Sequence, residues 1–209
     1  ISLFGGTANS ILFGFMISAA FLSMWISNTA TAVMMLPIAL AVIDKIEKEY
    51  GREETKNFSK SVLLGIAYAC SIGGIATLIG TPPNLALVRI HKIAFPDAPQ
   101  ISFGDWILLA LPISVFLLSL TAIFLSKIVF KSQTKIKIGK DFINNEYRSL
   151  GRFSFPEKVI AIVFTATSFL WIFRTDLNLG FLIIPGWSNI FLVPNFGQFV
   201  LSSSIFPNF

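Results

Sequence analysis

The sequence carries little charge, and long stretches of it carry none. Only 13% of its 209 residues are Asp, Glu, Lys or Arg, whereas a soluble domain has about 25%. Residues 1–43 contain no charged side chain, and hydrophobic residues make up 54% of the chain. The mean hydropathy is +0.75, and the charges cluster between uncharged runs. This pattern predicts an all-α, polytopic membrane protein whose helices cross the bilayer.

Cysteine and histidine are almost absent. Cys70 is the single cysteine, so no disulfide can form within the chain. His91 is the single histidine and lies in a charged cluster. No HExxH, GxSxG or P-loop pattern occurs, and the apolar runs around the polar clusters contain no acid. We therefore expect that the protein is not an enzyme. The net charge of +5 comes from bases that flank apolar spans, which does not indicate nucleic-acid binding.

A first polar cluster, Ser23 to Thr31, lies inside the uncharged start of the chain. Residues 11–43 are apolar around it for 33 positions, which is about 50 Å of helix against a hydrocarbon core of about 30 Å. Two helical arms that meet at a polar tip would fit, and such a re-entrant hairpin requires a tip buried in protein or water. The alternative is two ordinary spans joined by a tight turn.

A second polar cluster, residues 73–84, lies in the uncharged run 61–88. Gly73 and Gly74 should loosen a helix here. Pro82 and Pro83 cannot donate a backbone N–H, and the residue before a proline avoids helical geometry. The sequence therefore predicts a discontinuous helix over 61–92, unwound from about residue 76 to 82, with free carbonyls. A simple proline kink is the alternative.

The remaining sequence predicts charged connectors and later spans. Residues 44–60 hold five acids and five bases and form either a surface helix or a solvated loop. Spans are predicted over 106–126 and 156–173, and prolines divide the uncharged tail 177–209 into pieces. Base counts of five in 44–60, two in 89–105 and eight in 127–158 place the first and third connectors in the cytoplasm.

The composition also predicts a cellular location. The chain starts with Ile1 inside an apolar run, which suggests a fragment. We expect a multi-pass protein of the plasma membrane.

The polar groups of the two clusters favour a dehydrated alkali cation. Ser23 and Ser27 are four residues apart and share a face if the helix continues. Together with Asn28 and freed carbonyls near Gly80 they would supply neutral oxygens, which suit Na⁺, whereas a Ca²⁺ site would include carboxylates. For Ser23 alone, the alternative is a hydroxyl bonded to the carbonyl four residues earlier.

The same clusters favour an anion. A helix that begins near Thr29 would be capped by Ser27 or Asn28, and the segment after Pro83 offers a second helix N-terminus. No Lys or Arg lies at this depth, so bound cations must balance the anion. Moving a dianion into an inside-negative cell costs electrical work of about 2.3 kcal/mol per charge per 100 mV. Two Na⁺ that enter with the dianion would cancel this work, and three would make the membrane potential favour entry.

Three stretches carry a family resemblance. Residues 23–31 with Met35-Leu36-Pro37-Ile38 resemble the first SNT motif of the divalent anion/sodium symporter family. Residues 71–84 are similar to its unwound-helix signature, and Glu146–Gly151 with Pro156-Glu157-Lys158 to its connector before the next span. Members of this family carry dicarboxylates, citrate or sulfate, usually with Na⁺, as homodimers that move by an elevator mechanism.

The resemblance implies a set of site residues. It assigns the Na⁺ ligands to Ser23, Ser27, Asn28 and the backbone of Gly80. It assigns the substrate contacts to Ser27, Asn28, Thr29, Thr81 and Pro82. The resemblance also implies a division of the chain, in which residues 1–93 would belong to a transport domain and residues 94–209 would form later spans of a scaffold. Full members have a second, inverted half with another SNT motif, whereas this chain has one, at 27–29.

We therefore expect Na⁺-coupled symport of a di- or tricarboxylate such as succinate, malate, fumarate or citrate. The alternatives are a sodium/sulfate symporter, a Na⁺-independent dicarboxylate exchanger, or a membrane protein that does not transport. The expected partners are a small dianion, the lipid bilayer and a second copy of the full-length chain.

Overall fold

The computed structural model describes residues 7–130, 154–178 and 183–190. The chain divides into two compact units. The first consists of residues 1–101 and 106–153, and the second of residues 102–105 and 154–209. The predicted connector motif Glu146–Gly151 and the tail after residue 190 lie outside the described residues.

The first uncharged run forms two helices separated by a short break. Helix α1 spans Ala8–Ser23, and helix α2 spans Asn28–Tyr50. Ser27 has an extended backbone and its hydroxyl accepts a hydrogen bond from the amide of Ala30, so it caps α2 as predicted. We call residues 24–27 the first break.

The charged connector 44–60 is not a separate element. Helix α2 continues to Tyr50, and α3 (Arg52–Ile75) begins two residues later. Gly51 joins them with a φ of 87°, a left-handed conformation that glycine adopts at little cost. The predictions of a surface helix or a loop were therefore wrong, because the charged residues form the ends of two long helices.

The second uncharged run is broken where the prolines predict. Helix α3 ends at Ile75, and α4 (Pro82–Ala94) begins with Pro82 and Pro83 in its first turn, where a missing N–H does no harm. Thr81 is extended, with φ −148° and ψ 142°. Residues 76–81, the second break, confirm the predicted discontinuous helix. A simple kink would have kept the helix continuous.

Helix α5 follows over Phe103–Ile123 and continues as a π-helical segment over Phe124–Val129. Helix α3 packs against both α1 and α2. Their facing side chains form one buried apolar core, which includes Leu12, Met16, Ile46 and Val62. The core fixes α3 between α1 and α2, and thus fixes where the two breaks begin.

The second unit is built on α6 (Phe155–Ile172). Ser154 and Glu157 form a reciprocal cap at its start. The chain then forms a short antiparallel pair, β1 (Leu177–Asn178) and β2 (Ile183–Ile184), and helix α7 (Trp187–Ile190). The indole of Trp187 donates to the carbonyl of Leu170 at 2.8 Å, which ties this segment to the end of α6.

Four of the described helices are long and apolar enough to cross a membrane: α2, α3, α5 with its π-helical segment, and α6. Helix α1 is apolar but shorter. These lengths confirm the all-α polytopic architecture. The re-entrant arrangement of α1 and α2, the orientation, and the division into transport and scaffold parts after residue 93 stay predictions.

Candidate ion-binding site at two helix breaks

The ends of α1 and α3 touch through their backbones. A Cβ atom built on Gly73 would lie less than 3.0 Å from backbone atoms of Ala20, so only glycine permits this approach. Gly73 and Gly74 both remain inside α3. They allow close packing, and α3 ends one residue after Gly74; their predicted loosening of the helix stays a prediction.

Ser23 joins the end of α1 to the start of α2 and to α3. Its side chain is fully buried, and its Oγ lies 2.6 Å from Oδ1 of Asn28 and 2.7 Å from the carbonyl oxygen of Cys70. A hydroxyl bonded back into its own helix, the alternative considered for Ser23, is therefore not found. Helix α1 ends at Ser23, so Ser23 and Ser27 do not share a helix face.

The three oxygen atoms of this cluster share one proton. Only the Ser23 hydroxyl can donate, and one hydroxyl proton serves one acceptor. The Cys70 carbonyl lies inside α3 and also accepts the bond of its own helical turn. The Ser23 proton can therefore go to Asn28, or the Asn28 amide can turn so that its nitrogen donates to Ser23. The cluster thus offers neutral oxygens and no formal charge.

Gly74 places Asn28 and the second break side by side. A Cβ on Gly74 would fall on the Asn28 side-chain amide, and a Cβ on Gly80 would fall on the backbone of Gly74. Gly74 and Gly80 are both buried, and Asn28 is half-buried. The predicted ligands Ser23, Asn28 and Gly80 therefore converge around one glycine.

Side chains occupy several carbonyls that the second break releases. Asn84 donates from Nδ2 to the carbonyls of Gly74, at 2.9 Å, and Thr77, at 2.8 Å. The indole of Trp106 donates to the carbonyl of Ile75 at 2.9 Å. Free carbonyls were predicted over residues 76–82, and for Thr77 that prediction was wrong, because a buried carbonyl requires a partner.

Thr77 bonds the second break to the first. Its buried hydroxyl donates to the carbonyl of Met24 and accepts from the amide of Gly80, at 3.1 Å. The sequence placed Thr77 and Asn84 within the polar cluster without assigning them a role. The only sequence feature that marks these two residues is their polarity within an apolar run. That polarity does not indicate which carbonyls they bond.

The predicted substrate residues lie at two helix N-termini. At the start of α2, Ser27 and Thr29 are exposed. At the start of α4, Thr81 is half-buried and Pro82 is exposed. Such N-termini carry partial positive charge and attract anions. In the described part of the chain, no three His, Cys, Asp or Glu residues cluster as metal ligands, so neutral oxygens are the available donors.

The sequence of nearly the whole chain matches a known transporter family. Residues 1–191 match the family described as the sodium:sulfate symporter transmembrane region. The chain belongs to this family. The match confirms the resemblance to divalent anion/sodium symporters.

Named members of the family give a finer comparison. The chain is 41% identical over 182 residues to a sodium-dependent dicarboxylate transporter SdcS of Staphylococcus saprophyticus, and 37% identical to that of Staphylococcus aureus strain NCTC 8325. Each alignment covers 85% of this chain but 35% of the relative. The chain thus spans about a third of the length of these relatives.

The sodium:sulfate symporter family and these relatives are transporters and not enzymes. Together with the apolar helices, the family match identifies a multi-pass protein of the plasma membrane.

Proposed function

We propose that this chain belongs to the first half of a Na⁺-coupled dicarboxylate symporter. The single observation that carries the proposal is the meeting of Ser23, Asn28 and the Cys70 carbonyl, where the end of α1 and the start of α2 contact α3. A cluster of this kind has lone pairs to offer and no carboxylate, which suits a monovalent cation. The relatives' description as sodium-dependent dicarboxylate transporters supports the same conclusion.

The proposed Na⁺ ligands are Ser23, Ser27, Asn28 and the Gly80 carbonyl. Ser23 and Asn28 are in direct contact, and Gly80 packs on Gly74 beside Asn28. Ser27 joins the set through its place at the start of α2, although its hydroxyl also caps that helix. Na⁺ would be co-transported, so the site must release it in each cycle.

The proposed anion contacts are Ser27, Asn28, Thr29, Thr81 and Pro82. They lie at the N-termini of α2 and α4, whose free amides favour one carboxylate. A dicarboxylate has a second charged end. We propose that an inverted second half of the full-length protein binds that end and supplies the second Na⁺ site, and that the full-length chain forms a homodimer.

The proposed coupling follows from charge. Residues 7–43 and 61–88 contain no Lys or Arg, so the dianion's charge must be balanced by bound Na⁺ and helix dipoles. Each charge moved against 100 mV costs about 2.3 kcal/mol. Two Na⁺ per dianion would make transport electroneutral, and three would make it electrogenic.

Sulfate is the second candidate substrate, because the family description names it. Sulfate is compact, so one pair of helix N-termini would surround it, whereas a dicarboxylate needs two separated anion sites. A Na⁺-independent exchange of dicarboxylates is the third possibility that the experiment must distinguish.

Uptake by the full-length protein in proteoliposomes tests the proposal. Radiolabelled succinate is offered in Na⁺ or K⁺ buffer, with unlabelled succinate, citrate or sulfate as competitors. We expect uptake in Na⁺ only, with competition by succinate and not by sulfate. Equal uptake in K⁺ would refute the coupling to Na⁺. Uptake of radiolabelled sulfate in Na⁺ by a protein that takes up no succinate would refute the dicarboxylate.

A further inference from the structure

We propose that Thr77 and Asn84 are positioning residues, which hold the second break against the first so that Asn28 and Gly80 face the same cation. The inference rests on the proposed function and deepens it. It assigns the geometry of the ion site to two side chains that are not themselves proposed ligands.

The carbonyls at the end of α3 lose their helical donors at the second break. In a continuous helix, the carbonyls of Gly74 and Thr77 would accept bonds from the amides four residues later. Both residues are buried, so their carbonyls require other partners. The side-chain amide of Asn84 donates to both carbonyls, at 2.9 and 2.8 Å, and the amide of Gly80 adds a longer bond of 3.4 Å to the carbonyl of Thr77.

The amide orientation of Asn84 is determined by its partners. Both neighbours are carbonyl oxygens, which only accept, so Nδ2 must face them and both of its protons are used. Asn84 is 8% exposed. It therefore acts as a buried bridge that joins the first turn of α4 to the end of α3 across residues 76–81.

Thr77 joins the two breaks to each other. Its hydroxyl donates to the carbonyl of Met24 in the first break and accepts from the amide of Gly80 in the second. Thr77 is fully buried. Met24 follows the ligand Ser23 directly, so the Thr77 hydroxyl sets the distance between the ligand-bearing segments.

The two side chains together determine where the Gly80 carbonyl lies. Thr77 fixes the Gly80 amide, and Asn84 fixes the carbonyl of Thr77 and that of Gly74, on which Gly80 packs. Removal of either side chain leaves the proposed ligands in the chain but releases the backbone that aims them. A loss of Na⁺ affinity should follow, with the anion contacts at the helix N-termini less affected.

The test uses Thr77→Val and Asn84→Leu, which keep the shape of each side chain and remove its hydrogen bonds. Full-length variants are compared in proteoliposomes by the Na⁺ concentration that gives half-maximal uptake and by the KM for succinate at saturating Na⁺. We expect each variant to raise the half-maximal Na⁺ concentration about tenfold, as loss of a buried hydrogen bond implies. The KM for succinate should change less.

Matched variants separate positioning from general destabilisation. Thr77→Ser keeps the hydroxyl and should restore a Na⁺ response near that of the wild type. Thr55→Val removes another fully buried threonine hydroxyl, which donates to the carbonyls of Gly51 and Arg52 at the start of α3, and Asn57→Leu alters an exposed asparagine. Neither should change the response to Na⁺.

The shift of the melting temperature by Na⁺, relative to choline, gives a second readout that does not require transport. If Thr77→Val does not fold, the Na⁺-dependent shift of the melting temperature and the Na⁺ dependence of uptake of Asn84→Leu test the inference. An unchanged half-maximal Na⁺ concentration with a lower maximal rate would overturn the inference and leave the proposed function intact. A wild-type protein that responds to Na⁺ in neither assay would refute the proposed function, and the inference with it.

Discussion

The contact between Gly74 and Asn28 makes Gly74→Ala the most informative single substitution. Gly74 lies inside α3, and a Cβ atom there would fall on the side-chain amide of Asn28. The new methyl group must displace the Asn28 amide, because the packed backbone of α3, which would carry the methyl group, cannot move as easily. The substitution therefore removes Asn28 from the oxygen cluster without changing Asn28 itself.

The expected magnitudes differ for folding and for ion binding. Alanine improves helix propensity by about 1 kcal/mol relative to glycine, and overpacking costs about 1–3 kcal/mol. The net loss of folding stability should thus be about 0–2 kcal/mol. A lost polar contact to a charged group is worth about 1.5–3 kcal/mol, so Na⁺ affinity should fall about 10- to 150-fold.

Gly65→Ala is the matched control for Gly74→Ala. Gly65 is also a buried glycine of α3, but its Cβ would meet the flexible side chains of Leu12 and Met16. The Na⁺ dependence of succinate uptake is measured for both variants of the full-length protein. We expect a weaker response to Na⁺ only for Gly74→Ala. The same Na⁺ response in both variants and the wild type would refute the placement of Asn28 at the ion site.

Three further predictions concern other parts of the same unit. Asn28→Ala should abolish Na⁺-dependent uptake by the folded full-length protein, whereas Asn57→Ala should not; uptake that persists with unchanged Na⁺ dependence would remove Asn28 from the site. Gly51→Ala should lower the unfolding free energy by about 1–2 kcal/mol, because its positive φ disfavours any side chain, and a thermal melt that rises instead would contradict this. Trp106→Phe removes the indole donor to the Ile75 carbonyl and should lower stability by about 0.5–1.5 kcal/mol without altering substrate preference, as melting and competition assays would show.

The second break could be predicted from sequence because its cause is local. Two adjacent prolines cannot donate to Leu78 and Ile79, whatever surrounds them. The start of α2 was predictable for the same reason, since Ser27 is a favoured cap. Both helix bounds follow from backbone chemistry within a few residues.

The partners across the two breaks could not be predicted. The Cys70 carbonyl is a backbone atom with no side-chain signal, yet it lies 2.7 Å from the Ser23 hydroxyl. The role of Gly74 depends on which side of α3 faces α2, and the roles of Thr77 and Asn84 depend on which carbonyls lack partners. The connector 44–60 was misread because charges at helix ends resemble those of a solvated loop.

The ion site can be seen directly in experimental maps of the full-length protein, one in Na⁺ and one in choline. We expect density for an ion between the Asn28 side chain and the Gly80 carbonyl in Na⁺, and none there in choline. An ion bound elsewhere in this part of the protein, or a helix that continues unbroken through residues 76–81, would refute the proposed site.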